Sequence, residues 1–184
     1  LIGITDLLGR PTKEIKNNRM EELLEIIQET DGKVIIWANY RFDIKNICNT
    51  LANKFGEESV TTYFGDTKDK DRQDIVEKFQ DVDSKLKYFV GNPSTAGYGL
   101  TLTAAHTVIY FSNTYDLEKR MQSEDRAHRI GQTNKVTYID IIAEGTVDEK
   151  IVRSLRDKID IASAVMGEEI KEWVVEPAKK RKEK

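Results

Sequence analysis

The sequence has few of the residues that cross-link or break a chain. Its 184 residues include three prolines and one cysteine, Cys48. A single cysteine excludes an internal disulfide and suits a reducing compartment, and we expect its thiol to act as a small buried apolar group. No apolar run approaches the ~20 residues of a membrane-spanning helix, so we expect no membrane contact. Because the net charge is −3, any affinity for nucleic acid has to come from local basic patches and backbone dipoles.

The sequence also lacks the loop G-x-x-x-x-G-K-[ST], with which many nucleotide hydrolases hold phosphates and Mg²⁺. The chain therefore has no P-loop of its own. His106 has no metal-ligand spacing to another residue, and we expect it to be structural and no metal to bind. The chain begins at Leu1 rather than methionine, which favours a fragment of a longer protein.

Short β-branched and aromatic runs alternate with longer amphipathic stretches. Several of the short runs are apolar at consecutive positions, as in strands that are covered on both faces. The pattern predicts an α/β fold, a parallel sheet with helices on both faces. The predicted strands cover 33–38, 60–64, 86–90, 107–111 and 136–142, and the predicted helices cover 18–29, 41–55, 69–80, 97–105, 116–130 and 147–165. We expect a lead-in over 1–17, one domain over 18–165, and a helix and basic tail over 166–184.

Two segments that follow predicted strands could bind anions, because ligands of parallel α/β sheets sit beyond the carboxyl ends of the strands. In residues 91–101, GNPSTAGYGLT, the hydroxyls of Ser94 and Thr95 and the backbone at Gly97 and Gly99 could face a phosphate. A tight turn whose glycines serve only the backbone explains the same residues. In residues 63–79, Thr67 and Arg72 could contact phosphates, and a solvated helix start is the alternative.

One acidic pair has a simpler explanation than metal binding. Asp148 and Glu149 fall within Thr146-x-x-Glu149, the pattern of a capping box at the start of a helix. We therefore interpret the pair as structural.

Residues 122–132, QSEDRAHRIGQ, place Gln122, Arg126 and Arg129 at i, i+4 and i+7, which is one stripe of a continuous helix. A core helix would carry aliphatic side chains there. The structural alternative is a surface helix with i, i+4 pairs, Asp125–Arg129 and Glu124–His128, each worth about 0.2–0.5 kcal/mol. Those pairs explain the charges but not the shared stripe.

The same eleven residues resemble the sixth motif of Swi/Snf-type ATPases in helicase superfamily II, Gln-x-x-x-Arg-x-His-Arg-Ile-Gly-Gln. Residues 94–111 resemble the fifth motif, with Thr101 in place of an asparagine. The likeness covers about residues 18–165 in family order and also includes 33–40, 63–79 and 144–155. The sequence lacks the insertions of the remodelling members, which favours a bacterial or bacteriophage source.

The resemblance implies a RecA-like fold and the second of two lobes that hold ATP between them. The first lobe, absent here, would carry the P-loop and hold most of the ATP and Mg²⁺. Arg126 and Arg129 would then be arginine fingers, which contribute about 10³–10⁵ in rate in other nucleotide hydrolases. The implied ATP-binding residues are Gln122, Gly97, Gly99, Arg126 and Arg129, and those on the DNA backbone are Thr67, Arg72, Ser94 and Thr95.

The implied function is an ATP-dependent translocase on duplex DNA, working with the N-terminal lobe of the same protein. The isolated chain should then be inactive. Alternatives are a lobe of a strand-separating DNA or RNA helicase, a non-catalytic module that binds nucleic acid or a partner, and a Rossmann-type nucleotide-binding enzyme. The location would be the cytoplasm of a bacterium or infected host, or the nucleus of a eukaryote.

Overall fold

The computed structural model describes residues 18–65, 67, 69–95 and 99–166. Helices and strands alternate along these residues, as the sequence pattern predicts. The helices are α1 (Arg19–Gln28), α2 (Arg41–Phe55), α3 (Asp69–Gln80), α4 (Leu117–Glu124) and α5 (Val147–Met166). The strands are β1 (Lys33–Trp37), β2 (Val60–Tyr63), β3 (Tyr88–Gly91), β4 (Ala105–Tyr110) and β5 (Thr137–Asp140), and two 3₁₀ turns cover Glu57–Ser59 and Pro93–Thr95.

The five described strands form one parallel sheet in the order β2-β3-β1-β4-β5. The central strand β1 pairs with β3 and β4, so that Val34 lies beside Tyr88 on one side and Thr107 on the other. Every crossover is long enough to contain a helix, as parallel pairing requires. The predicted α/β class with a parallel sheet is confirmed.

Helices cover both faces of the sheet, and β1 shows why. Side chains alternate between the faces of a strand, and all five residues of β1 are buried. Val34 and Ile36 join one apolar cluster with α1 and α2, while Ile35 and Trp37 join a second cluster with Phe79 of α3. Each fully buried aliphatic or aromatic side chain contributes about 1.5–3 kcal/mol, so this strand holds both layers together.

Gly91 ends β3 at a point where there is no room for a side chain. A Cβ atom at this position would lie 2.8 Å from the carbonyl oxygen of Tyr63 and 2.9 Å from Cζ3 of Trp37. Only glycine fits between β2 and the Trp37 ring without a shift of the backbone. The chain then turns directly into Pro93–Thr95.

Two predicted helices differ from the structure. The helix predicted over 97–105 is wrong: residues 99–104 are coil and turn, Gly99 has a φ of +67°, and β4 begins at Ala105. The helix predicted over 116–130 ends at Glu124, so Gln122, Arg126 and Arg129 do not share a helical stripe. The backbone N–H groups of both Ala127 and His128 donate to the carbonyl of Glu124, which tightens the chain into turns.

The ends of the chain are only partly described. Residues 1–17 and 167–184, which hold the predicted lead-in and most of the predicted tail, lie outside the described residues. The boundaries at 18 and 165 stay a prediction, although α1 begins at Arg19 and α5 extends to Met166. Among the helices that the structure describes, none is long and apolar enough to cross a membrane.

Candidate ATP and DNA surfaces

The segment of residues 125–131, which follows α4 and which we call the arginine turn, is fixed to the chain that leads into β4. The N–H of Leu102 donates to the carbonyl of Arg126 at 2.9 Å. The side-chain amide of Gln132 donates to the carbonyls of Thr103, Ala105 and Ala127 at 3.0–3.2 Å. Because Ala105 starts β4, the arginine turn lies toward the amino end of that strand, away from the edge where parallel sheets usually bind ligands.

Two guanidinium groups lie close together on the arginine turn. Burial lowers the pKa of Arg126, the positive charge of Arg129 lowers it further, and Asp125 opposes the shift. Arg129 is exposed, and its Nη1 donates to the carbonyls of Gly99 and Leu100 and to the Thr101 hydroxyl at 3.0–3.3 Å. The turn surrounds an open cleft of about 690 Å³. Two adjacent cations facing open space are suited to an anion with several oxygens.

The other residues predicted to bind ATP have fewer contacts with the two arginines. Gln122 lies on α4, half-buried, and donates to Oε1 of Glu118 at 2.9 Å. Gly99 reaches the arginines only through its carbonyl, which accepts from Arg129. Gly97 lies outside the described residues. The structure therefore brings Arg126, Arg129 and Gly99 together, while Gln122 is not among the described residues that line the cleft.

The four residues predicted to contact DNA meet at the carboxyl ends of β2 and β3. Nε of Arg72 donates to the carbonyl of Thr67 at 3.1 Å, and the guanidinium lies 5.6 Å from the centre of the Tyr63 ring. The hydroxyl of Thr95 donates toward the Tyr63 carbonyl at 3.3 Å. Ser94 lies next to Thr95 and is exposed. We call Thr67, Arg72, Ser94 and Thr95 the strand-end surface.

Hydrogen bonds within the loops fix the shape of the strand-end surface. The Thr67 hydroxyl accepts from the N–H of Phe64 at 3.1 Å, and the Thr95 hydroxyl donates to the Asn92 carbonyl at 2.7 Å. The Asn92 side chain accepts from the N–H of Ser94 at 2.8 Å. The two threonines therefore serve their own turns, while Ser94 is exposed and Arg72 is half-buried.

Helix α4 joins the two surfaces. Its N-terminus is capped by Asp116, whose carboxylate accepts from the N–H of Lys119 at 3.1 Å. The helix packs against the 3₁₀ turn Pro93–Thr95, which holds Ser94 and Thr95 of the strand-end surface. The carbonyl of its last residue, Glu124, accepts two hydrogen bonds from the arginine turn. Helix α4 therefore contacts both surfaces.

A buried charge network on α4 was not found by sequence reasoning. Arg120 is 3% exposed and contacts Asn113, Glu124 and Asp140 at 2.6–3.2 Å. Its guanidinium lies 3.4 Å from the centre of the Tyr110 ring. Burial alone would lower the pKa of Arg120, but Tyr110, Asp140 and Glu124 raise it above its ordinary value. The i, i+4 spacing of Arg120 and Glu124 was visible in the sequence, yet such pairs usually lie at the surface.

The residues that the sequence analysis interprets as structural make local contacts. The Thr146 hydroxyl accepts from the N–H of Asp148 at 3.2 Å, and Glu149 reaches back to the N–H of Gly145 at 2.8 Å, so the box caps α5. Asp148 also pairs with Arg19 of α1. Cys48 is half-buried against the core, and burial raises the pKa of its thiol. No group of possible metal ligands occurs in the part of the chain that the structure describes.

Residues 16–131 match the family described as the helicase conserved C-terminal domain. The chain belongs to this family, which confirms the class of protein that its sixth-motif resemblance implies. Within the family it is of the Swi/Snf type, a C-terminal RecA-like lobe, as the following relatives show.

Three relatives support that placement. The chromatin-remodeling ATPase INO80 of Cryptococcus neoformans var. neoformans is 34% identical over 175 residues, which are 91% of the chain and 10% of that protein. The SWI/SNF-related matrix-associated actin-dependent regulator of chromatin subfamily A-like protein 1 of Xenopus laevis is 30% identical over 142 residues, 77% of the chain and 14% of that protein. A crystal structure of the C-terminal part of the Fun30 ATPase domain has a TM-score of 0.67 at 25% identity, covering 76% of the chain and 46% of that chain.

These relatives confirm the RecA-like fold. The chain spans only a small part of the curated relatives, 5–15% of their lengths. The sequence relatives named above come from a fungus and a frog and give no support to a bacterial or bacteriophage source.

Proposed function

We propose that the chain is the second ATPase lobe of a DNA-dependent translocase and supplies Arg126 and Arg129 to ATP bound on a first lobe. The observation that carries the proposal is the pair of neighbouring guanidinium groups beside an open cleft on the arginine turn. Two like charges held together repel each other, and an anion placed between them removes that cost.

In this proposal the two arginines stabilise negative charge on the phosphates of ATP, although they belong to no P-loop. Arg126 and Arg129 would donate to phosphate oxygens, and the developing charge of phosphoryl transfer is the kind that guanidinium groups stabilise. Arg129 is already bound by the carbonyls of Gly99 and Leu100, so it would exchange those bonds for phosphate when the lobes close. Gln122 and Gly97 complete the proposed nucleotide contacts, with ATP and Mg²⁺ held mainly by the first lobe.

The strand-end surface is our candidate for the site that binds the DNA backbone. Hydroxyls, backbone N–H groups and an arginine are the groups that bind phosphates without reading sequence. Thr67, Arg72, Ser94 and Thr95 provide this set beyond the carboxyl ends of the adjacent strands β2 and β3. The names of the INO80 and SWI/SNF-related relatives refer to chromatin. We infer duplex DNA as the partner and, for a eukaryotic protein, the nucleus as the location.

The test compares the isolated 184-residue chain with the intact protein that contains it. We expect DNA-stimulated ATP hydrolysis by the intact protein and no turnover above background by the isolated chain, because the chain has no P-loop. An intact protein carrying Arg126→Ala and Arg129→Ala serves as the control for contaminating ATPases. DNA-stimulated turnover by the isolated chain would refute the proposal.

A further inference from the structure

We propose that Arg120 is a positioning residue for ATP hydrolysis. It holds α4 in the position that allows Arg126 and Arg129 of the arginine turn to reach the nucleotide. The inference rests on the proposed function, since it concerns the same arginines. It assigns a role to a residue outside the sixth motif, on the helix that contacts both candidate surfaces.

The contacts of Arg120, in the middle of α4, fix this helix to the sheet. Its Nη1 donates to Oδ1 of Asp140 at 2.6 Å and to Oδ1 of Asn113 at 2.8 Å, while Nη2 donates to Oδ2 of Asp140 at 3.2 Å. Asp140 is the last residue of β5 and Asn113 follows β4. The planar guanidinium therefore fixes the helix to the carboxyl ends of two strands at once.

The same side chain also holds the C-terminal end of α4, because it binds the carboxylate of Glu124. Nε of Arg120 donates to Oε1 of Glu124 at 2.7 Å, and both side chains are almost fully buried. The Glu124 carbonyl accepts from the N–H groups of Ala127 and His128 at 3.0–3.1 Å. Arg126 lies between Glu124 and these donors, so the place of Glu124 decides the place of Arg126.

A second path runs through the ring beneath Arg120. The Tyr110 ring lies against the guanidinium, and its hydroxyl is 2.7 Å from the hydroxyl of Ser123. The Ser123 carbonyl accepts from the N–H of Arg126 at 3.4 Å. Ser123 and Glu124, which directly precede the arginine turn, are thus both held in place by contacts with Tyr110 and Arg120.

Simple stabilisation does not require this arrangement. A buried ion network is often no more stable than apolar packing of the same size. The guanidinium of Arg120 binds carboxylates on two elements, α4 and β5, and so fixes the position of one relative to the other. Such positioning matters for catalysis, because a misplacement of ~1 Å at a reacting group can cost about 100-fold in rate.

The test is Arg120→Lys in the intact protein, which keeps the charge and loses the planar fork. We expect kcat for DNA-stimulated hydrolysis to fall about 10- to 100-fold, with the KM for ATP and the Kd for DNA unchanged, in assays well below the melting temperature. The matched control is Lys33→Met, because Lys33 is also a buried cation, bound by the carbonyls of Asp81 and Leu86 at the amino end of β1. This control should melt earlier and keep its kcat.

Wild-type kcat in folded Arg120→Lys would overturn the proposal, and so would an equal loss of kcat in Lys33→Met. If Arg120→Lys does not fold, Asn113→Ala decides, because it removes one acceptor of Arg120 and leaves no buried charge unpaired. A lower kcat at unchanged KM supports the role, and a wild-type kcat overturns it. Arg129→Ala, measured in parallel, separates the two proposals: if it keeps full turnover, the proposed function itself is wrong, whereas an inactive Arg129→Ala beside a normal Arg120→Lys refutes only the positioning role.

Discussion

Replacing Arg129 with alanine in the intact protein should remove most ATP turnover and hardly change the stability of the domain. Arg129 is exposed, and its described hydrogen bonds all come from Nη1 at 3.0–3.3 Å. One hydrogen bond contributes a net of about 0.5–1.5 kcal/mol to folding, and all three contacts share a single exposed nitrogen. In a domain of this size, a loss of 1 kcal/mol lowers the melting temperature by about 2–4 °C.

The expected loss of activity is much larger. An arginine finger contributes about 10³–10⁵ in rate, which corresponds to about 4–7 kcal/mol of barrier at about 1.4 kcal/mol per tenfold. The difference between a loss of ~1 kcal/mol in stability and several kcal/mol in barrier separates a catalytic arginine from one that only holds the turn. Arg129→Lys should recover little activity, because an ammonium group lacks the planar fork that meets two phosphate oxygens.

The assay measures kcat at saturating DNA and ATP, DNA affinity, and melting temperature for Arg129→Ala, Arg129→Lys and a matched control. Arg153→Ala is that control, since Arg153 is an exposed arginine on α5 that belongs to neither candidate surface. DNA affinity should change little in all three, because Arg129 does not lie on the strand-end surface. Normal turnover in Arg129→Ala, or a turnover that falls only as far as the melting temperature explains, would refute the reasoning.

Three further outcomes follow from the contacts described above. Arg72→Ala should weaken DNA binding equally for unrelated sequences and reduce the slope of log K against log salt by about one unit; an unchanged slope in a salt titration would remove Arg72 from the DNA surface. Gly91→Ala should lower the free energy of unfolding in urea by about 1–3 kcal/mol, since its Cβ would lie 2.8 Å from the Tyr63 carbonyl. Gly99→Ala, where nothing lies within 4 Å of the added Cβ but φ is +67°, should cost less, and the reverse order would contradict the packing argument. Gln132→Ala should cost about 1–3 kcal/mol, because it leaves carbonyls without their donor, and it should lower turnover through the arginine turn; a stable variant with full turnover would show that the amide is dispensable.

Local sequence determined the order of the elements and the class of fold. The apolar runs of the strands and the amphipathic stretches between them follow from periodicity alone, because β1 has to be apolar on both faces when helices cover both. The cap of α5 was equally readable, since Thr146 and Glu149 need only their own neighbours to form it. The resemblance of 122–132 to a family motif identified the family without any tertiary information, and the match over 16–131 confirms it.

Tertiary contacts decided the shape of the candidate site. Helical spacing in 116–130 predicted one stripe for Gln122, Arg126 and Arg129, but hydrogen bonds from Leu102 and Gln132 draw residues 125–131 into turns against the start of β4. Gly99 and the loop to Ala105 likewise lost their predicted helix to contacts with residues about 30 positions away. Helical periodicity records only neighbours along the chain, so it could not register these partners.

The sequence also did not show how deeply a charged side chain is buried. Arg120 and Glu124 have the spacing of an ordinary surface pair, and only the packing of α4 over Tyr110 and Asp140 makes them a buried network. Spacing and the motif resemblance thus identified the candidate site residues and the order of the elements that hold them. The close approach of distant segments decided which of those residues are buried, which face the cleft, and which hold the others in place, because burial and hydrogen bonding depend on neighbours in space.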